Sequence, residues 1–287
     1  MPIKRAIVWT IFWVSSSFIF NVLIYFYWDT WFPESTLTNW DAALAYFTGY
    51  IIEKSLSIDN LFVFLYIFTF FKIKSHAQRK ILNYGILGVI ILRGIFIVIG
   101  VNMIREFEWV LYIFGLILIY TGYTMAFGKE KEIHPEKNVL LKMFKKIMPL
   151  KTEFDGEKFF TKENGKLFAT PMVVILIIVE STDLVFAIDS IPAIFAITTD
   201  PFIIMTSNLM AVIGLRSLYF VLEKIQSAFI YVKYGVGIVL AFVGLKMLLG
   251  YFDEHIDTLI SLYIILTILS TSVIFSIVAS KHKKENK

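Results

Sequence analysis

The sequence predicts an all-α membrane protein, a polytopic helical bundle of about eight transmembrane helices with two inverted three-helix repeats. Three observations support this prediction. Apolar runs long enough to cross a bilayer as a helix, about 20 residues each, recur along the 287-residue chain. Apolar residues make up 57% of the chain, more than a soluble protein of this length can shield from water. The third observation is an internal similarity between residues 40–127 and 168–250.

The predicted spans differ in their flanking charge, and this asymmetry predicts the orientation of the chain. In chain order they cover residues 6–28, 40–71, 80–102, 108–127, 168–198, 202–222, 231–250 and 257–280. If the spans alternate, most of the 27 basic residues share a side with the N-terminus, whereas Arg105 lies on the other side. Because Lys and Arg accumulate in cytoplasmic loops, we expect both termini in the cytoplasm. The net charge of +4 reflects this bias and does not indicate nucleic-acid binding.

The first span begins directly after Lys4 and Arg5 and stays apolar to about Tyr27. It is longer than the core of a signal peptide, and no small-x-small cleavage pattern follows it. We therefore expect 6–28 to be a retained N-terminal helix within a single membrane domain, 1–287. The first repeat then covers 40–127, the second 168–250, and 257–280 forms a C-terminal helix.

Residues 128–168 form the one long polar segment between the spans, which we expect on the cytoplasmic side. The stretch KNVLLKMFKKIM, 137–148, places apolar residues on one helical face and Lys142, Lys145 and Lys146 opposite. This pattern is typical of a basic amphipathic helix that lies on a membrane surface. Asn164-Gly165 between two short aromatic runs predicts a β-hairpin with a type I′ turn. We interpret the segment as a solvated connector in preference to a regulatory domain.

The internal repeat is ordered along the chain. Residues 109–128 align without a gap to 231–250, so that the glycines at 115, 122 and 128 match those at 237, 244 and 250. One span earlier, Arg93 matches Arg216, and earlier again the acid pair at 53 and 59 matches that at 183 and 189. The first copy starts on one side of the membrane and the second on the other. Inverted repeats of this kind are typical of secondary transporters with a site near mid-membrane.

Acidic side chains inside the spans predict a cation site. Each costs about 2.5–3.5 kcal/mol at mid-membrane depth, and five are present: Glu53, Asp59, Glu180, Asp183 and Asp189. The chain has no cysteine, and its four histidines fall at or beyond span ends. The available ligands are therefore oxygens, which suit hard divalent cations such as Mg²⁺, Ca²⁺ and Mn²⁺. We also expect Pro192 to unwind its span near Ile188 and turn carbonyls inward.

The alternative is that the acids pair with Arg93 and Arg216 only to hold helices together. Neutral residues would pack the same helices at lower cost, so we favour a functional role for the acids. For the two arginines, a purely structural role as charge partners stays equally open.

Four stretches of the sequence are similar to the TerC family of integral membrane proteins, in its Alx-like branch. They are EKSLSIDNLFVF at 53–64, the segment around 152–171, ESTDLVFAIDSIPAIFAITTDPF at 180–202, and TSNLMAVIGLRSLYF at 206–220. The resemblance implies a bacterial inner-membrane protein of a family historically linked to tellurite resistance, with relatives that act in manganese efflux. The intramembrane acids of the family correspond here to the five acids above, and its asparagine to Asn60.

The leading hypothesis from the sequence is secondary export of Mn²⁺ in exchange for protons, with no enzymatic activity and no cofactor. Asp59 and Asp189 would be the core ligands, Asn60, Ser190, Glu53 and Asp183 further ligands, and Glu180 a proton relay. The predicted partners are the cation, protons and the bilayer. A homo-oligomer or a contact with the translocon is left open. Two alternatives remain: a tellurite-related or stress transporter that binds an anion through Arg93 and Arg216, and a membrane-protein assembly factor.

Overall fold

The computed structural model describes residues 3–128, 139–151, 153–163, 165–225, 231–252, 254 and 256–285, without the side chains of Asp59, Ile225 and 281–285. The chain is almost entirely helical, and a two-stranded hairpin precedes its sixth helix. The helices are α1 (Ile3–Trp31), α2 (Asn39–Phe70), α3 (Ser75–Glu106), α4 (Trp109–Phe127), α5 (Val139–Ile147), α6 (Pro171–Phe195), α7 (Pro201–Ile213), α8 (Leu215–Ile225), α9 (Val232–Leu249) and α10 (Thr258–Glu285). The predicted all-α membrane class is confirmed.

Six of these helices are long and apolar enough to cross a membrane, namely α1, α3, α4, α6, α9 and α10. The bent pair of α7 and α8 makes a seventh if it is one span. At 32 residues α2 also exceeds the necessary length. It carries Glu53, Lys54 and Asp59 within one short stretch, and these charges lower its mean hydropathy. The predicted number of eight spans stays a prediction.

The polar segment before α6 folds much as its sequence predicts. The amphipathic helix expected at 137–148 is observed as α5, and the hairpin consists of β1 (Phe160–Glu163) and β2 (Lys166–Ala169). The two strands are antiparallel, with Phe160 opposite Ala169. Gly165 has a φ of 76°, which a glycine adopts without strain. The other turn residue, Asn164, lies outside the described residues, so the turn type stays a prediction.

Local sequence fixes the start of two of the helices that contribute to the polar site. Thr170 caps α6 and Asp200 caps α7, each accepting hydrogen bonds from the backbone amides that follow. In both cases proline occupies the next position, where its missing N–H would be unpaired in any case.

The helical path is broken between α7 and α8 and not in α6. At Gly214 the two helices are bent by 42°, and Lys54 Nζ from α2 donates to the carbonyl of Ala211 at 3.0 Å. The prediction that Pro192 unwinds its span is wrong, because α6 continues through Pro192 to Phe195. Since Pro192 stands in the last turn, little helix remains beyond it to be disrupted.

Helices α4 and α9 pack closely because four glycines face each other. A Cβ on Gly115 would lie 2.9 Å from the carbonyl oxygen of Gly244, and a Cβ on Gly237 would lie 2.7 Å from that of Gly122. In the sequence alignment Gly115 corresponds to Gly237, and Gly122 to Gly244. The contacts are therefore reciprocal, as in an isologous pair related by a two-fold axis. They agree with an inverted repeat, which itself stays a prediction.

This packing predicts a large effect of one added methyl group. In Gly122→Ala the new Cβ would overlap backbone, with the amide nitrogen of Ala241 at 2.8 Å. We expect a loss of about 1–3 kcal/mol of unfolding free energy, measured by SDS titration of the protein in mixed micelles.

The matched control is Gly94→Ala in α3, where a Cβ would meet nothing closer than the Met205 methyl at 3.7 Å. This control should be neutral or slightly stabilised, because alanine favours helix over glycine by about 1 kcal/mol. Equal stability of the two variants would contradict the close packing of α4 on α9.

Candidate functional site

Three charged side chains meet in the interior of the bundle, near the midpoints of their helices. Glu53 belongs to α2, Arg93 to α3 and Asp183 to α6. Their exposed fractions are 0%, 2% and 2%. Apolar clusters lie on both sides along the helix axes: one contains Phe64 and Ile178, and the other Ile97 and Ile191. A charge at this depth is stable only with partners, because the surroundings provide no solvation.

The guanidinium of Arg93 binds both carboxylates. Its Nε and Nη2 donate to the two oxygens of Asp183 at 3.1 and 3.2 Å, which is the two-pronged geometry that arginine forms with carboxylates. Its Nη1 donates to Glu53 Oε1. The arginine therefore links α2, α3 and α6 at one point. We call this group of residues, with the neighbours that follow, the Arg93 cluster.

Neutral polar side chains complete the Arg93 cluster. Asn208 in α7 accepts from Arg93 Nη1 at 3.1 Å and donates to Glu53 Oε2 at 3.0 Å. The remaining contacts are longer: Ser57 to Glu53 at 3.3 Å, Ser190 from Arg93 at 3.4 Å and Asn60 to Asp183 at 3.5 Å. The predicted ligands Glu53, Asn60, Asp183 and Ser190 are therefore close together, around an arginine.

This arrangement holds more acid than base and leaves no open coordination site. With both carboxylates ionised, one positive charge faces two negative charges. Within the part of the chain that the structure describes, no three His, Cys, Asp or Glu side chains are grouped to hold a metal ion. Only two acids, Glu53 and Asp183, meet here among the described residues, and the guanidinium of Arg93 lies between them. A cation can bind these oxygens only if the arginine moves away.

Glu180 lies one helical turn before Asp183 on α6, outside the Arg93 cluster. Both of its carboxylate oxygens are buried, and neither has a hydrogen-bond partner among the described residues. Two glycines of α3 make room for this side chain. A Cβ on Gly85 would lie 2.9 Å from Glu180 Oε1, and a Cβ on Gly88 would overlap the carboxylate. An ionised carboxylate without a partner is costly in such surroundings.

Two cavities meet at Glu180. The smaller has a volume of about 20 Å³, enough for one water molecule, and is lined by Glu180, Asp183 and Arg216 together with apolar side chains. The larger has a volume of about 360 Å³ and lies between α5 and α6. Glu180 is therefore positioned between a wide cavity at the α5 side and a narrow one that reaches the Arg93 cluster at Asp183.

The remaining predicted residues lie apart from this centre. Asp189 is half-buried and accepts a hydrogen bond from Thr121 of α4 at 2.9 Å. The side chain of Asp59 lies outside the described residues. Arg216 lines the narrow cavity, and no ion pair between described residues includes it. Another arginine, Arg79, is close enough to act on its charge. The two arginines that the repeat aligns therefore have different surroundings.

Three side chains matter here that the sequence did not assign as ligands. Asn208 bridges Arg93 and Glu53, Thr121 binds Asp189, and Lys54 binds the broken end of α7. The signal for Asn208 was its place as an amide within an apolar span. Thr121 gave no such signal, because threonine is common in transmembrane helices, where it bonds its own backbone.

Comparisons with known proteins agree on one family. Residues 38–286 match the model of the family described as "Integral membrane protein TerC family". The chain is 43% identical over 286 residues to "Putative membrane-bound redox modulator Alx" of Escherichia coli K12, covering 99% of this chain and 88% of that protein. The uncharacterized membrane protein STKORF319 of Myxococcus xanthus is 42% identical over 279 residues, 97% of this chain and 84% of the relative. No solved structure matches.

The Arg93 cluster predicts a strong dependence of stability on its arginine. Arg93→Gln leaves Glu53 and Asp183 buried without a cation, and breaking a buried pair in this way costs about 3–5 kcal/mol. We expect a loss of this size in the free energy of unfolding by SDS titration.

Neutralising the acids in the same protein, by adding Glu53→Gln and Asp183→Asn, should restore most of the loss. Arg105→Gln, at the exposed end of the same helix, is the matched control and should be neutral. If the triple variant is no more stable than Arg93→Gln alone, the charge balance proposed for the cluster is contradicted.

Proposed function

Because the chain belongs to the TerC family of integral membrane proteins, we propose that it exports a divalent metal cation, most simply Mn²⁺, in exchange for protons. The single observation that carries this proposal is the Arg93 cluster. It places two carboxylates, amides and a hydroxyl at mid-depth, balanced by only one arginine. A purely structural ion pair needs one acid for one base. Here a second carboxylate is present, and its surplus negative charge favours the binding of a dication.

The energetics of export require a driving ion. Moving a +2 ion outward against an inside-negative potential costs about 4.6 kcal/mol per 100 mV, since each elementary charge contributes about 2.3 kcal/mol. The sequence contains no nucleotide-binding motif of the Walker type. Inward movement of protons is the simplest source of the required free energy, because carboxylates exchange a bound cation for a proton without additional groups.

Arg93 acts as a resident counter-ion in this mechanism. While no cation is bound, its guanidinium neutralises Glu53 and Asp183 and keeps the pathway closed. An arriving dication offers twice the charge and takes the same carboxylate oxygens, joined by the amide oxygens of Asn60 and Asn208. An all-oxygen shell of this kind suits Mn²⁺, Ca²⁺ or Mg²⁺ better than Zn²⁺. Release of the cation lets Arg93 return to the two acids.

Asp59 and Asp189 remain in the proposal as ligands along the route. Asp189 is six residues beyond Asp183, about 9 Å along a regular helix, and its bond from Thr121 holds it toward α4. We propose that the cation passes from the Arg93 cluster to Asp189 as it moves along α6. We assign Asp59 the same role as Asp189, as a ligand on this route, only because the two residues correspond in the alignment of the repeats.

Glu180 is the proposed proton carrier. Neither oxygen of its buried carboxyl group has a hydrogen-bond partner among the described residues, and the group reaches the narrow cavity that it shares with Asp183. When the cation leaves, a proton enters the Arg93 cluster in its place, passes to Glu180 and is released on the α5 side, so that protons move inward. The close fit of Gly85 and Gly88 fixes the position of the carboxyl group.

Two other functions fit the residues less well. An anion transporter would use Arg93 and Arg216, and the donors of Arg93 are already bound to carboxylates. The name of the Escherichia coli relative refers to redox modulation, but this chain has no cysteine with which to exchange a disulfide.

The test is Mn²⁺-driven proton movement in proteoliposomes that contain a trapped pH-sensitive dye. In the wild type an outward Mn²⁺ flux should move protons the opposite way. Glu180→Gln should lower the proton flux by at least about tenfold, because it removes a positioned proton carrier. Asp189→Asn should lower Mn²⁺ flux measured on the same vesicles.

Glu106→Gln, at the exposed end of α3, is the matched control and should transport as the wild type does. Unchanged proton coupling in Glu180→Gln would exclude Glu180 as the carrier. Absence of any divalent-cation flux in the wild type, across Mn²⁺, Ca²⁺ and Mg²⁺, would overturn the proposed function.

A further inference from the structure

Helix α5 presents both apolar and basic side chains to its surroundings. Only Leu141 is buried, in the apolar cluster that also contains Ile81 and Met172. Met143 and Ile147 are exposed, the latter to 80%. Lys142, Lys145 and Lys146 are exposed as well. A helix of nine residues held by one buried side chain is not secured by packing alone.

The chain anchors α5 at one end. After α5, the carbonyl of Pro149 accepts from the amide of Ala169 at 3.0 Å, and the amide of Lys151 donates to the carbonyl of Ala169 at 2.8 Å. Ala169 is the last residue of β2 and leads through the cap Thr170 into α6. The C-terminal end of α5 is thus tied by backbone hydrogen bonds to the start of α6.

The face of α5 toward α6 covers the wide cavity. Leu140, Met143, Phe144 and Ile147 line it from α5, and Leu176, Ile177 and Glu180 line it from α6. Its volume of about 360 Å³ is large enough to hold several water molecules. Any movement of α5 about its anchored end changes access to Glu180.

We propose that α5 is a lid over the access to Glu180 and that its outer surface binds the headgroups of anionic phospholipids. The charge of the helix argues for this occupant: three lysines on nine residues, next to exposed apolar side chains, fit a negatively charged bilayer surface. The role of the lid rests on the proposed transport function, whereas the lipid binding does not.

The expected strength of the interaction follows from the number of lysines. A lysine near an anionic surface strengthens binding about fivefold, so three together give a preference on the order of 100-fold over a zwitterionic surface. The fraction of α5 that is bound to the bilayer surface should therefore depend on the proportion of anionic lipid.

The absence of cysteine in the sequence makes a direct test available. Met143→Cys places a thiol at a position of α5 that is exposed and borders the wide cavity, and its rate of modification by a water-soluble maleimide reports its exposure. We measure this rate in nanodiscs of phosphatidylcholine with and without phosphatidylglycerol. Phosphatidylglycerol should slow the modification by at least about tenfold.

Three further variants, one with a thiol elsewhere and two with lysines replaced, separate the lid from general effects of the lipid. Leu167→Cys, exposed on β2, should react equally in both nanodiscs. Replacing the three lysines of α5 by Gln in Met143→Cys should abolish the dependence on lipid. Replacing Lys158, Lys162 and Lys166 of the hairpin segment by Gln should preserve it. Equal rates for Met143→Cys in both nanodiscs would overturn the proposal.

Transport distinguishes failure of the lid from failure of the function. Mn²⁺ flux in vesicles with phosphatidylglycerol should change at least about threefold when the α5 lysines become Gln. If flux is present but unchanged, α5 is not a lid, and the proposed function stands. If flux is absent while Met143→Cys is still protected by phosphatidylglycerol, lipid binding stands and the proposed function falls.

Discussion

The arrangement of the helices in the interior of this protein depends on the contact of one guanidinium with two carboxylates. Arg93 joins Asp183 through two parallel hydrogen bonds and Glu53 through a third, and the three side chains come from three helices. In hydrocarbon each of these charges is unstable alone. The positions of α2, α3 and α6 relative to one another are therefore linked to the charge state of the cluster, and α7 joins through Asn208.

Because the Arg93 cluster holds helices together, a change in its contacts would also change how these helices are positioned. If a dication takes the two carboxylates, Arg93 loses its partners and the helices lose the contact that aligned them. Glu180, which packs against Gly85 and Gly88, lies on the α5 side of the Arg93 cluster. Asp189, which is bonded by Thr121, lies farther along α6 on the other side. The acids of α6 follow one another along a single helix, and in the proposed mechanism they are successive oxygen ligands for the cation.

The sequence predicted the all-α membrane class, the amphipathic helix and the hairpin, because composition and periodicity report these features directly. It did not predict which acids meet, since spacing along a helix does not fix its rotation against its neighbours. The break at Gly214 was missed because Pro192 is the stronger local signal for a break, and its place in the last turn of α6 made that signal misleading. Arg93 and Arg216 align in the repeat yet have unlike partners.

The account is tested most directly by the Mn²⁺ affinity of the wild type and Arg93→Gln, measured on the folded, monodisperse fraction by the paramagnetic resonance of bound Mn²⁺. If Arg93 competes with the cation for Glu53 and Asp183, removing it should tighten binding by at least about tenfold, or 1.4 kcal/mol. Weaker binding in the variant, or none in either protein, would show that the arginine and the cation do not share these carboxylates.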